Sequence, residues 1–324
     1  QFIFTGIPVY YHSVYVLLSP LGYLDRNTAI IIFQSMNIVF MVIFYYLYSK
    51  SIENDNHRFH VMVAFLLLLS STSFRVAMGN GQLSIFVLSF YSFFLFLSSK
   101  YVYSSHLLAS VGIAKYSFAP NFLLHILLSR KYLSLVYIFI ISLVCMLIFE
   151  YISNSNFFSS MFSPIEIWTK GDTFLNRGVT PDGPLAPGNG DLMSIMKVLE
   201  FKSLYYLTIP IILSILLHLF YFKYEGRDIL YDFGIIGLFS LMFYQHLFYD
   251  YVLLLPLLLL SFKFNKISFF LSYMIICYAW FSPTIFSFFG IGATLINIIF
   301  QFFLFIALFT IVIYNLSTKS YDSS

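Results

Sequence analysis

Arg75 and Lys115 are the two side chains from which chemistry can first be argued. Each sits beside apolar runs in a polar setting: Arg75-Val-Ala-Met-Gly79-Asn80-Gly81-Gln82 before an apolar run to Leu97, and Gly112-Ile-Ala-Lys115-Tyr116-Ser-Phe-Ala-Pro120. A cation at membrane depth is costly and by default marks a site. Arginine offers a planar fork of donors and lysine a point charge, a combination suited to a single phosphate. Gly79 and Gly81 permit positive φ and bare backbone N–H groups, and the amides of Asn80 and Gln82 suit sugar hydroxyls. The bland alternative makes both cations snorkelling residues at helix ends and the glycines an ordinary turn.

A second constellation is His246-Leu-Phe-Tyr-Asp250-Tyr251, which pairs an imidazole with a carboxylate at a helix boundary. These are the candidate catalytic groups, because transfer of a sugar from a phosphate needs a base for the acceptor hydroxyl and a cation for the departing phosphate. A hydrated N-cap is the competing role for Asp250. Asp25, followed by Arg26, reads as the cap of the helix after it. His12 in Pro8-Val-Tyr-Tyr-His12 and Tyr116 beside Lys115 are candidate substrate contacts, with a plain hydrogen-bonded neighbour as the alternative for His12. No carboxylate pair has metal-ligand spacing, and GxxxxGK[ST], GxGxxG after a strand, HExxH and CxxC are all missing. Neither a metal nor a cofactor is therefore expected, and a nucleotide donor is not indicated.

The elements that must carry these residues are membrane helices. The 324 residues are 60% hydrophobic and 10% charged, with mean hydropathy +0.87, against roughly a quarter charged in a soluble domain. That balance excludes a water-soluble fold, and a net charge of +3 is too small to argue for nucleic acid. Apolar runs fall near 27–49, 59–74, 83–99, 104–117, 119–129, 132–153, 204–222, 229–245, 247–262, 266–283 and 291–314. With the fourth and fifth taken as a dipping hairpin, the expected fold is an all-α polytopic bundle of about ten membrane segments, a single transmembrane domain over 1–324. Cys145 and Cys277 lie inside apolar runs and read as small buried hydrophobes.

Alternating the runs collects Lys50, Arg58, Lys100, Arg130, Lys131, Lys223, Arg227, Lys263, Lys266 and Lys319 on one face, and only Arg26, Arg75 and Lys115 in short connections on the other. The richer face is the cytoplasmic one. Arg75, Gln82, Lys115, His246 and Asp250 then share the outer face with a large loop over 154–203. That loop is dense in Pro and Gly around Thr180-Pro-Asp-Gly-Pro, and its end, Asp191–Phe201, has the spacing of an amphipathic interface helix with an acidic cap. The chain opens at Gln1 with no basic-then-apolar leader, and we read it as lacking an N-terminal span.

Gly81-Gln82 opening an apolar helix, Gly112-Ile-Ala-Lys115 before an aromatic and proline stretch, and Ser129-Arg-Lys131 resemble the pattern of glycosyltransferase family 87. Pro8-Val-Tyr-Tyr-His12 through Ser19-Pro20-Leu21, and His246 through Leu-Leu-Leu-Pro256, resemble the family's entry and its late histidine-bearing helix start. The resemblance implies a GT-C type bundle that moves mannose from polyprenyl-phosphate mannose to a lipid-linked or envelope glycan acceptor. It also implies a multi-pass protein of the plasma (inner) membrane in polysaccharide biosynthesis, whose catalytic acidic residue precedes Gln1. In that reading Arg75 and Lys115 hold the donor phosphate, Asn80, Gln82, His12 and Tyr116 contact sugar or substrate, and Asp250 and His246 serve catalysis. The partners are membrane lipid, the polyprenyl-linked sugar and the glycan acceptor. A flippase for lipid-linked saccharide, or an O-antigen polymerase or ligase, are the alternatives the residues leave open.

Overall fold

The structure, a computed structural model, describes residues 12–50, 55–79, 82–97, 108, 110, 113, 115–153, 190–225, 227–244, 246–288 and 295–322. All regular structure in them is helical. In chain order the helices are α1 (His12–Leu18), α2 (Arg26–Lys50), α3 (Asp55–Ser70), α4 (Thr72–Gly79), α5 (Ser84–Leu97), α6 (Ala119–Leu128), α7 (Tyr132–Ser153), α8 (Leu192–Val198), α9 (Ser203–Tyr221), α10 (Ile229–Phe243), α11 (Leu255–Ser261), α12 (Lys266–Phe288) and α13 (Leu295–Asp322). Short 3-10 helices cover Ser19–Tyr23 and Phe248–Leu254.

The outer helices expose what a soluble protein would bury. Ile31, Val39 and Val42 on α2, Phe139 and Leu147 on α7, and Ile212 and Leu216 on α9 all face outward. With hydrocarbon as the solvent that arrangement costs nothing, and the backbone bonds are closed within each helix. Among the described residues, four stretches are long and apolar enough to cross a bilayer alone: Arg26–Ser49, Tyr132–Ile152, Leu204–Tyr221 and Ile296–Thr318. A fifth forms if α3 and α4 count together across their 56° bend. The ten or so segments read from hydropathy are not matched one for one by long helices among the described residues, where several apolar runs are broken into shorter helices. Ile229–Phe243 is 15 residues, and at about 1.5 Å per residue it reaches only about 22 Å of a core roughly 30 Å thick.

The breaks have local causes. Ser71 ends the second run: its hydroxyl bonds the Leu68 carbonyl at 2.6 Å and accepts from the Phe74 N–H at 3.1 Å, capping α4 in a new direction. Proline opens two helices, Pro120 in α6 and Pro256 in α11, where its missing N–H is no loss. Asp25 accepts from the Thr28 N–H and hydroxyl, the cap expected at the start of α2. Cys145 and Cys277 are both free.

The centre of the bundle is α10 against the 3-10 helix Phe248–Leu254 and α11. Every residue from Leu230 to Phe243 except Asp232 is buried, and so is every residue of α11. Two glycines allow this closeness. A Cβ at Gly237 would stand 2.7 Å from the Leu253 carbonyl oxygen, and one at Gly234 would stand 2.3 Å from Leu257 Cδ2. Small residues one turn apart let the backbones approach where lipid offers no hydrophobic drive between helices. The 3-10 helix is fixed further by Trp280 of α12, whose indole N–H bonds the Tyr251 carbonyl at 2.7 Å.

The helix expected over Asp191–Phe201 is present as α8, capped by Asp191. It packs into the bundle rather than presenting a free apolar face. Met193, Ser194, Ile195 and Met196 are buried against α9, α10 and α13, because both faces of this short helix find protein. Residues 154–189, most of the expected large loop, lie outside the described residues.

Candidate functional site

Asp250 is the residue that gathers the site. The 3-10 helix holds it at the bundle centre, with the Asp250 N–H bonded to the Leu247 carbonyl at 2.8 Å and the Leu247 N–H returning to Asp250 Oδ2 at 3.3 Å. Its other oxygen receives Lys115 Nζ at 2.5 Å and the hydroxyl of Ser84, the first residue of α5. A carboxylate only 1% exposed would be strongly disfavoured if alone, and these donors are what permit it.

Lys115 arrives from the turn before α6, where its carbonyl accepts from the Phe118 and Ala119 N–H groups at 3.0 Å. Its side chain retains 12% exposure. The ammonium also lies 3.5 Å from Ser84 Oγ, 5.1 Å from the centre of the Phe118 ring and 4.9 Å from that of Tyr249. Burial is the larger influence on this amine and lowers its pKa, while the Asp250 charge and hydrogen bond act in the opposite direction. An ammonium has three hydrogens; Asp250 and Ser84 engage two directions, and one remains for a ligand oxygen.

His246 lies four residues before Asp250, in a separate buried pair. Its Nδ1 is 3.1 Å from the Tyr244 carbonyl and 3.6 Å from Asp191 Oδ2, and its ring meets that of Tyr251 at 5.3 Å. Asp191 accepts in addition from the Ser194 N–H and hydroxyl, both at 2.7 Å. Asp191 also opposes the lowering that burial imposes on the Lys197 amine.

The sequence-predicted residues therefore divide. Lys115 and Asp250 meet directly, and His246 is placed by the same stretch of chain as Asp250. Arg75 is exposed on α4, which packs against the 3-10 helix carrying Asp250, and it makes no ion pair among the described residues. Gln82, half-buried, starts the turn into α5 with its N–H on the Ala77 carbonyl at 2.8 Å. Tyr116 is half-buried beside Lys115. Asn80 lies outside the described residues, as does the side chain of His12 at the start of α1. Sequence reasoning passed over Ser84, although a serine two residues after Gln82 in an apolar helix start was a usable signal. Asp191 stands in the sequence as the cap of α8 and one of several outer-face carboxylates, and Gln301 carries no local signal.

Another polar cluster lies near Arg227, between the ends of α6, α9 and α10. Asp232 Oδ1 accepts from the Tyr221 hydroxyl at 2.8 Å, Oδ2 is 3.5 Å from His125 Nε2, and the Arg227 guanidinium covers the Tyr221 ring at 5.1 Å and the Phe222 ring at 4.2 Å. Among the described residues no group of three His, Cys, Asp or Glu side chains is arranged to hold a metal ion.

The family described as Glycosyltransferase family 87 matches residues 11–222, which include Arg75, Gln82, Ser84 and Lys115 but stop short of His246 and Asp250. No curated protein and no solved structure matches the chain.

Proposed function

The chain belongs to glycosyltransferase family 87, and we propose that it moves a hexose, mannose by family resemblance, from a polyprenyl-phosphate donor to a lipid-linked or envelope glycan acceptor. In this reading the protein crosses the plasma membrane in about ten segments and works on the outer face, where the lysine and arginine distribution puts Lys115. The observation that carries the proposal is the Lys115 ammonium, held by Asp250 and Ser84 beside the Phe118 and Tyr249 rings.

The chemistry follows from what each group has left to give. The acceptor hydroxyl oxygen attacks the anomeric carbon, and the bond from that carbon to the phosphate oxygen breaks. The phosphate leaves with an added negative charge. Lys115 is built for that moment, because a preorganised cation aimed at developing charge costs no reorganisation during the reaction. Arg75, exposed on α4, supplies a second cation to the lipid headgroup. Asp250 already accepts from Lys115, Ser84 and the Leu247 N–H, so its part is to hold the lysine. His246 is the proton acceptor this chain offers, with Nδ1 on a carbonyl and Nε2 without a partner. Gln82, Asn80, His12 and Tyr116 are the proposed contacts to sugar and substrate.

The test is transfer of radiolabelled hexose from polyprenyl-phosphate mannose in membranes containing the wild type, Lys115→Ala or Arg75→Ala. Loss of one donor to a developing oxyanion typically costs about 100- to 1,000-fold in rate, and Lys115→Ala is expected in that range with a smaller loss for Arg75→Ala. Transfer at the wild-type rate in both variants would remove the phosphate assignment.

A further inference from the structure

Two buried polar nitrogens beside the 3-10 helix have no hydrogen-bond partner: His246 Nε2 and Gln301 Nε2. Both side chains are deeply withdrawn, at 3% and 4% exposure. An orphaned polar atom at such depth is costly, of the order of 1–3 kcal/mol, so two of them in one neighbourhood call for an occupant.

The neighbourhood is shared. Gly190 carries no side chain, and a Cβ there would stand 2.3 Å from Gln301 Cγ and 2.6 Å from its Cβ, so α13 presses Gln301 onto this residue. The next residue, Asp191, reaches the His246 ring at 3.6 Å. Tyr251 closes the group: it interacts with the Gly190 backbone, its ring meets His246 at 5.3 Å, and it meets Phe305, one turn beyond Gln301, at 5.6 Å.

The two atoms also have opposite hydrogen-bonding character. A backbone carbonyl can only accept, so in its neutral form the His246 ring carries its hydrogen on Nδ1, toward Tyr244, and Nε2 then presents a lone pair. The Gln301 amide nitrogen only donates. A buried acceptor and a buried donor in one neighbourhood complement a hydroxyl group, which gives one hydrogen and takes one. We propose that His246 and Gln301 form a hydroxyl-binding subsite for a sugar, with Asp191 as the positioning residue that, beside the Tyr244 carbonyl, helps keep the His246 hydrogen on Nδ1. The hydroxyl belongs to the acceptor glycan or to the donor hexose. The proposal rests on the hexosyltransferase reading for the identity of its ligand and on none of the phosphate contacts.

The test uses the full chain in nanodiscs with 15N-labelled histidine, the His246 signals being assigned among seven histidines by loss in His246→Gln. The wild type is expected to show the Nδ1–H tautomer. Titration with octyl α-mannoside, as acceptor probe, or with polyprenyl-phosphate mannose, as donor probe, is expected to move the Nε2 resonance, and the probe that does so identifies the source of the hydroxyl. Gln301→Leu is expected to weaken that probe about tenfold, the usual scale for one lost hydrogen bond. Asp191→Asn is expected to mix the tautomers and lower the rate with little change in KM. A silent Nε2 with both probes overturns the subsite, and an unchanged tautomer in Asp191→Asn overturns the positioning role. Neither result bears on Lys115: loss of transfer in Lys115→Ala beside a silent His246 would leave the phosphate reading standing and this one refuted.

Discussion

Two lysine–carboxylate pairs in this protein have the same length and should have very different worth. Lys115–Asp250 and Lys263–Asp228 are both 2.5 Å, but the first has side-chain exposures of 12% and 1% and the second 40% and 37%. Removing one partner of a buried pair leaves an uncompensated charge and costs about 3–5 kcal/mol, whereas an exposed pair contributes roughly 0–1 kcal/mol. Asp250→Ala strands the Lys115 ammonium and also leaves the Ser84 hydroxyl and the Leu247 N–H without their acceptor, so it belongs at the upper end of that range. Lys263→Met removes only the exposed pair and is the control. If each kcal/mol moves the midpoint by about 2–4 °C, as in domains of 150–250 residues, Asp250→Ala unfolds roughly 10–20 °C below the wild type and Lys263→Met within about 4 °C. The double variant Asp250→Ala with Lys115→Met removes both charges and should recover at least about 1.5 kcal/mol relative to Asp250→Ala, a coupling that only a direct interaction gives. Thermal unfolding of these proteins in one detergent, together with the single variant Lys115→Met, closes the cycle. Additive losses, or an Asp250→Ala midpoint no lower than that of Lys263→Met, would refute the pairing and with it the account of how Lys115 is held.

Other perturbations test the frame around the site. Gly237→Ala drives a methyl toward the Leu253 carbonyl oxygen at 2.7 Å and is expected to cost about 1–3 kcal/mol in the same unfolding assay, with hexose transfer falling further because the 3-10 helix moves. Trp280→Phe keeps the ring but deletes the 2.7 Å bond to the Tyr251 carbonyl, for an expected loss of about 1–2 kcal/mol, and a midpoint equal to wild type would show that bond to be idle. Asp232→Ala leaves the Tyr221 hydroxyl and His125 without their acceptor and is expected to lower stability by about 1–3 kcal/mol while leaving the KM for donor unchanged. Single cysteines at Arg75 and Lys223, in a Cys145→Ser, Cys277→Ser background, are expected to react with an impermeant maleimide in sealed cells and in inverted membrane vesicles respectively; both reacting in the same preparation alone would overturn the orientation.

The amino-acid sequence alone determined that this is an all-helical membrane protein, where most helices begin and end, and that Lys115 and Asp250 stand out. Those features are local: an apolar run long enough for a helix, a proline or an Asp cap at its start, and a charge where charge is expensive. It could not determine that Lys115 and Asp250, 135 residues apart, are partners, nor that the second apolar run turns by 56° at Ser71. Pairing and bending depend on which helices touch, and uniformly apolar helices give hydropathy no face to choose. Tertiary packing made those choices through Gly234 and Gly237, which let α10 close on the Asp250 segment, and through the Trp280 bond that pins it. The same packing buried α8, whose sequence reads as an interface helix, because helices from both sides cover it and leave Asp191 facing a histidine instead of water.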